Sequence, residues 1–209
     1  MRVSLLFSLV LAIGLAACQS EAPELTAEDP SSDPPAVEEV ADEYAVAEIT
    51  GLNDSGVSGT VTFLALGSDG VQIRYDLAGL EGEAHGFHLH ENGSCAPGDD
   101  GTPGGAAGGH FNPMESPHGA PSASPANRHA GDLGNVRVSA EASGIARGSL
   151  ADSVLTFGGP TDVVGKAVIV HAGADDLTSQ PSGDAGARVG CGVIVLAEQP
   201  ASPSAETSV

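Results

Sequence analysis

Six of the seven histidines in this chain fall into three short segments that also hold one aspartate, and their spacing suits metal ligation. In Gly86-Phe87-His88-Leu89-His90 the two imidazoles are two residues apart, so on a strand they leave the same face and can grip one ion together. Downstream, Gly109-His110-Phe111-Asn112-Pro113 opens a Gly/Pro-rich loop that runs on to His118 and to His129-Ala130-Gly131-Asp132. Three imidazoles and a carboxylate make a tetrahedral zinc shell. His171, closing the apolar run 167–170, would be the fourth ligand of a copper-like site. Any one such histidine alone is ordinarily a polar strand residue with a satisfied hydrogen bond, but six in so few segments are not explained that way. His85, three residues before His88, leaves a strand on the other side and is assigned a structural hydrogen bond.

These side chains need a rigid frame, and alternating or β-branched runs supply one. They span 45–50, 57–66, 71–77, 84–91, 135–141, 145–150, 166–171 and 189–196, each bounded by Gly, Asn or Asp. Short strands at such spacing predict an all-β fold, an antiparallel sandwich or barrel. About 150 residues suffice for one compact domain with its own core. Trp is absent and aromatics are scarce, so Val, Ile, Leu and Ala must fill that core. Only the loop carrying the histidines and the stretch 172–188 are long connections, as expected of functional loops on a scaffold.

The N-terminus reads differently. Arg2 and an apolar stretch over 3–17 are too short to span a bilayer and have the form of a secretory signal peptide. It ends in Leu15-Ala16-Ala17-Cys18, which resembles the bacterial lipobox, in which the cysteine is lipidated and becomes the first mature residue. Cleavage as an ordinary signal peptide is the alternative. From 19 to 43 the chain carries nine carboxylates and no Lys or Arg, and reads as an acidic, disordered tether. Residues 198–209, rich in Pro, Ser and Ala, are expected to be a disordered tail. The expected organisation is thus a leader over 1–17, a lipidated Cys18 with its tether to 43, a domain over 44–197, and the tail.

Four segments of that domain resemble the copper/zinc superoxide dismutase family, in its exported bacterial lipoprotein form. They are His-Gly-Phe-His-Leu-His at 85–90, Gly-His-Phe-Asn-Pro at 109–113, Gly-Asp-Leu-Gly-Asn-Val at 131–136 and Gly-Ala-Arg-Val-Gly-Cys-Gly-Val-Ile at 186–194. The resemblance implies an eight-stranded antiparallel Greek-key barrel and the conversion of superoxide to O2 and hydrogen peroxide. It implies copper on His88, His90, His110 and His171, and zinc on His110, His118, His129 and Asp132. His110 would then bridge the ions and couple proton to electron transfer. Asp175 corresponds to a carboxylate that orients one histidine of each ion, here His88 and His118, and Arg188 to an arginine that attracts the anion beside copper. Cys95 and Cys191, the pair left once Cys18 is lipidated, correspond to a disulfide that pins the metal-site loop to the barrel. A periplasmic or other envelope location, lipid-anchored to a membrane, follows from the leader and Cys18.

Charge complicates that picture. The chain stands at -21, and residues 44–197 hold 17 Asp and Glu against 6 Lys and Arg, a net of -11. No nucleic-acid partner is expected at that charge, and a substrate anion should be repelled except close to Arg188 and the metals. The loop 172–187 contains none of the lysines that many family members place there. Residues 96–109, longer and richer in glycine than the family's usual link, are expected to form a flexible loop near the site, and leave open whether the chain is a monomer or a homodimer. Two rival readings are a metal-storage protein on the same fold, which would not need Arg188, and a zinc hydrolase, which would need a general base that no motif supplies.

Overall fold

The computed structural model describes residues 43–200. Cys18, the leader, nearly all of the acidic tether and the tail beyond residue 200 lie outside the described residues. The strands are β1 (Tyr44–Gly51), β2 (Ser58–Ala65), β3 (Val71–Ala78), β4 (Ala84–His90), β5 (Asp132–Arg137), β6 (Ala146–Asp152), β7 (Ala167–His171), β8 (Arg188–Val193) and β9 (Val195–Leu196). They hydrogen-bond in the order β5-β4-β7-β8-β1-β2-β3-β6, with β9 on β1, every neighbouring pair antiparallel. This is a nearly closed eight-stranded barrel in which β5 and β6 are the two end strands.

Each of the eight runs becomes a strand, with two adjustments. β5 begins at Asp132 and stops at Arg137, because Ser139 Oγ accepts the backbone N–H groups of Glu141 and Ala142 and turns the chain there. The last run divides at Ile194, whose N–H donates to Lys166 O and whose carbonyl accepts from Gly165 N–H, so that β8 serves β7 while β9 serves β1.

Period-two patterning decides what faces inward. Ala45, Ala47 and Ile49 of β1 and Val61 and Phe63 of β2 are buried, whereas Glu48 and Thr50 face water. With Ile73, Leu77, Phe87, Leu89, Val168, Val170 and Ile194 they form the main core. Each such large side chain contributes about 1.5–3 kcal/mol on burial.

β4 and β7 are buried on both faces. Phe87, Leu89, Val168 and Val170 join the core, while His88, His90, Ile169 and His171 emerge on the opposite face, beneath the two long loops. On that side Ala107, Ala167, Ile169 and Cys191 make a second small cluster, flanked by Leu52 and Cys95. Cys95 and Cys191 are joined as a disulfide, tying the loop after β4 to β8.

That loop is folded on itself despite its glycines. Gly98 N–H and Gly105 N–H both donate to Thr102 O, at 2.8 and 2.9 Å, and Asn92 N–H donates to Ala107 O at 3.0 Å. Carbonyls that meet donors inside the loop give this glycine-rich segment a hydrogen-bonded fold of its own, which composition alone does not announce.

Candidate metal centre

Strand register assembles the first cluster. His88 and His90 of β4 stand opposite Ile169 and Ala167 of β7, His171 stands opposite Arg188 of β8, and an isolated bridge sets His110 opposite His90. The ring centroids of His88 and His110 are 4.0 Å apart, and those of His88 and His171 are 5.0 Å apart. One nitrogen from each of His88, His90, His110 and His171 lies within 4.8 Å of the others.

The opposite nitrogens of three of these rings are already engaged. His90 Nδ1–H donates to Gly108 O at 2.9 Å, His171 Nδ1–H to Gly186 O at 3.0 Å, and His88 Nε2–H to Asp175 Oδ2 at 2.8 Å. A ring nitrogen facing a carbonyl or carboxylate must carry the proton, which leaves its lone pair on the other nitrogen. Those others, His90 Nε2, His171 Nε2 and His88 Nδ1, together with His110 Nε2, are buried without a hydrogen-bond partner among the described residues. Each costs about 1–3 kcal/mol if left so, and a metal ion relieves all four at once. The donor set fits copper, which favours imidazole.

His110, His118, His129 and Asp132 form a second group, again with ligand atoms within 4.8 Å of one another. Asp132 Oδ1 lies 2.7 Å from His110 Nδ1, 3.0 Å from His118 Nδ1 and 3.2 Å from His129 Nδ1. Its Oδ2 accepts from the backbone N–H of His129 and Gly119, which anchors the carboxylate. Three imidazoles and one carboxylate fit tetrahedral zinc.

Asp175 spans the two groups, with Oδ2 on His88 Nε2 and Oδ1 on His118 Nε2 at 3.0 Å. It is buried, whereas neighbouring Asp176 is exposed and accepts from Thr178 and Ser179. Asn135 holds the Asp175 backbone through both its amide atoms, at 2.8 and 2.9 Å. At Gly183, φ is +72° and a Cβ would sit 1.8 Å from Asp175 Oδ1, so only glycine lets the loop close over this carboxylate. His85 stands apart from both groups, its Nδ1–H donating to His171 O at 2.8 Å.

Burial sets the charge states. It pushes His110 down to about 4, against the opposing Asp132 hydrogen bond, and His171 to about 3, and it holds His90 well below the usual imidazole range. These rings are therefore neutral at pH 7, the form that ligates. Burial raises Asp132, but hydrogen bonds from His110 and His129 and from Gly119 N–H outweigh it and hold the carboxyl well below its usual range.

Comparison with known proteins agrees with this geometry. Residues 57–194 match the family described as copper/zinc superoxide dismutase (SODC). The chain is 45% identical to superoxide dismutase [Cu-Zn] of Candida glabrata, of Saccharomyces cerevisiae and of Yarrowia lipolytica, in each case over 160 residues, 73% of this chain and 97% of the relative. The chain belongs to the copper/zinc superoxide dismutase family. It is an oxidoreductase that uses copper and zinc to convert two superoxide anions and two protons to O2 and hydrogen peroxide.

Two supports of this superoxide dismutase site escaped the sequence reading. Arg128 is buried beneath the second group, donating to the carbonyls of His129 and Asp132 at 3.2 Å and of Ala130 at 3.4 Å, and pairing with Asp152 Oδ2 at 2.5 Å. The available signal was an arginine abutting His129 in a loop with no other basic residue. Gln180 clamps the His118 backbone, accepting its N–H at 2.8 Å and donating to its carbonyl at 2.9 Å. Nothing in the local sequence distinguishes Gln180 from a solvated loop residue.

Proposed function

We propose that His88, His90, His110 and His171 hold the copper and that His110, His118, His129 and Asp132 hold the zinc. The observation that carries this is the division of His110. Its Nδ1 lies 2.7 Å from Asp132 Oδ1, within the second group, while its Nε2 has no partner and belongs to the first. One ring would thus serve both ions. Copper, when bound, supplies a one-electron centre that takes an electron from one superoxide and returns it to the next.

The chain's own residues do the rest. Arg188, half-buried and facing His171 across β7 and β8, presents the positive charge that draws superoxide in. Its guanidinium is aimed by donation to Gly104 O at 2.5 Å and Gly108 O at 2.7 Å. His110 Nε2, whenever it is not on copper, would be the atom at which the chain holds a proton for the departing peroxide, and Asp175 keeps His88 and His118 from rotating. Arg188→Ala should slow superoxide consumption roughly tenfold and Arg188→Glu further, within the 10–10³ range of electrostatic focusing. Both should retain metal and the disulfide, and the gap between them should narrow as salt screens the charge. Stopped-flow assays across ionic strength measure this; wild-type kinetics in Arg188→Glu at low salt would remove Arg188 from the substrate path.

We also infer that the chain is exported and lipid-anchored through Cys18 in a bacterial envelope. Support comes from the apolar leader, the small residues before Cys18, and a disulfide of the kind that persists outside the cytoplasm. Metabolic labelling with a fatty-acid probe should mark the wild type and spare Cys18→Ser; equal labelling of the two would refute the anchor.

A further inference from the structure

The loop that holds Arg188 also carries a carboxylate, Asp100, in its turn. Gly104, whose carbonyl accepts from the guanidinium, has φ +63° and faces Leu52 and the Arg188 side chain. Its neighbour Gly105 donates to Thr102 O at 2.9 Å and lies against Gly98. Thr102 N–H in turn donates to Asp100 Oδ1 at 2.9 Å, and a Cβ built on Gly98 would meet that same Oδ1 at 3.0 Å and Gly105 Cα at 3.3 Å. Asp100, itself exposed, is therefore held in the turn that packs against Gly105, next in the chain to the Gly104 carbonyl that Arg188 grips. The two charges feel one another: burial draws the guanidinium below its usual range and Asp100 opposes that, while Arg188 adds to the Thr102 hydrogen bonds that hold Asp100 low.

We propose that Asp100 sets the anion selectivity of this site, weakening the pull of Arg188 so that singly charged superoxide is accepted while doubly charged anions are disfavoured. The physical basis is that Coulomb energy is proportional to the charge of the visitor. A fixed carboxylate whose field reaches the bound anion costs a dianion twice the free energy that it costs a monoanion, so any factor lost by the monoanion is squared for the dianion. A site that had only Arg188 and two metal ions would bind sulfate and phosphate more tightly than superoxide. The loop 172–187 carries no lysine to widen the positive field, so Arg188 is the basic side chain on which Asp100 acts. The inference rests on the assignment of Arg188 to the anion path.

Asp100→Asn is the suitable variant, because the amide oxygen can still accept from Thr102 N–H. The readout is optical: azide is titrated into the copper- and zinc-loaded protein, with sulfate as competitor. Asp100→Asn should tighten azide about twofold and sulfate about fourfold at low ionic strength, in the squared relation that Coulomb's law requires. Both effects should fade at high salt, and Asp99→Asn, one residue away from the turn contact, should change either anion less. Unchanged affinities, or equal factors for the two anions, would overturn the proposal, equal factors marking a rearranged loop. Arg188→Ala run in parallel separates the two ideas. If it abolishes the sulfate competition while Asp100→Asn does nothing, the selectivity claim alone fails; if it leaves both anions at wild-type affinity, the role of Arg188 fails with it.

Discussion

His171→Ala should abolish superoxide consumption while leaving zinc close to its wild-type content. His171 belongs to the first group alone. Its Nδ1–H is spent on Gly186 O, and its backbone carbonyl on His85 Nδ1–H, so the free Nε2 has no other task than ligation. Removing it leaves three imidazoles in an irregular site, whereas all four donors of the second group remain. Asp132→Ala should do the reverse. It deletes the carboxylate on which His110, His118 and His129 converge and frees the N–H groups of His129 and Gly119, so zinc falls and the loop loosens. Some copper-dependent turnover should survive. Metal content by mass spectrometry, read beside the superoxide assay, decides the matter. Loss of zinc with retention of copper in His171→Ala would reverse the assignment of the two groups.

The ease with which those residues could be read from the sequence follows from how locally each is specified. His88 and His90 announce themselves because a two-residue spacing on a strand is a statement about one face, and Phe87 and Leu89 between them are the matching statement about the core. The eight strands were legible for the same reason. What was not legible depends on partners far away in the chain. A register shift between Gly86 and His88 accommodates the meeting of β4 with β5, and no property of Gly86-Phe87-His88 predicts it, although a Cβ at Gly86 would lie 2.7 Å from that of Ala185. The folded state of the glycine-rich loop is decided by acceptors that include Thr102 O and by a guanidinium donor some eighty residues later. Composition reports only the freedom of such a segment, not the contacts that remove it.

Arg128 is the clearest case of such a distant dependence, and its loss should be the most damaging single change to stability. Its side chain and that of Asp152 are 2% and 3% exposed, in a pair 24 residues apart that links the metal-site loop to the end of β6. A buried pair of this kind is no proof of net stabilisation, since desolvating two charges offsets much of their attraction. Breaking it is a different matter, because the survivor stays buried without its counter-charge, at a cost of about 3–5 kcal/mol. Arg128→Met also strands the carbonyls of His129, Ala130 and Asp132. For a domain of this size each kcal/mol shifts Tm by about 2–4 °C, so a drop of roughly 6–20 °C is expected. Asp152→Asn should also be costly, since it leaves Arg128 buried without its counter-charge, but it keeps an amide oxygen for the N–H groups of Val154 and Leu155 and leaves Arg128 on the loop carbonyls. Because the stranded carbonyls lie in the segment 129–132, Arg128→Met should also release zinc more readily than Asp152→Asn. Calorimetry of the metal-free protein and zinc release to a chelator measure the two effects. An Arg128→Met protein that melts with the wild type would mean that the loop relaxes to hydrate Asp152, and that the pair does not hold the zinc segment in place.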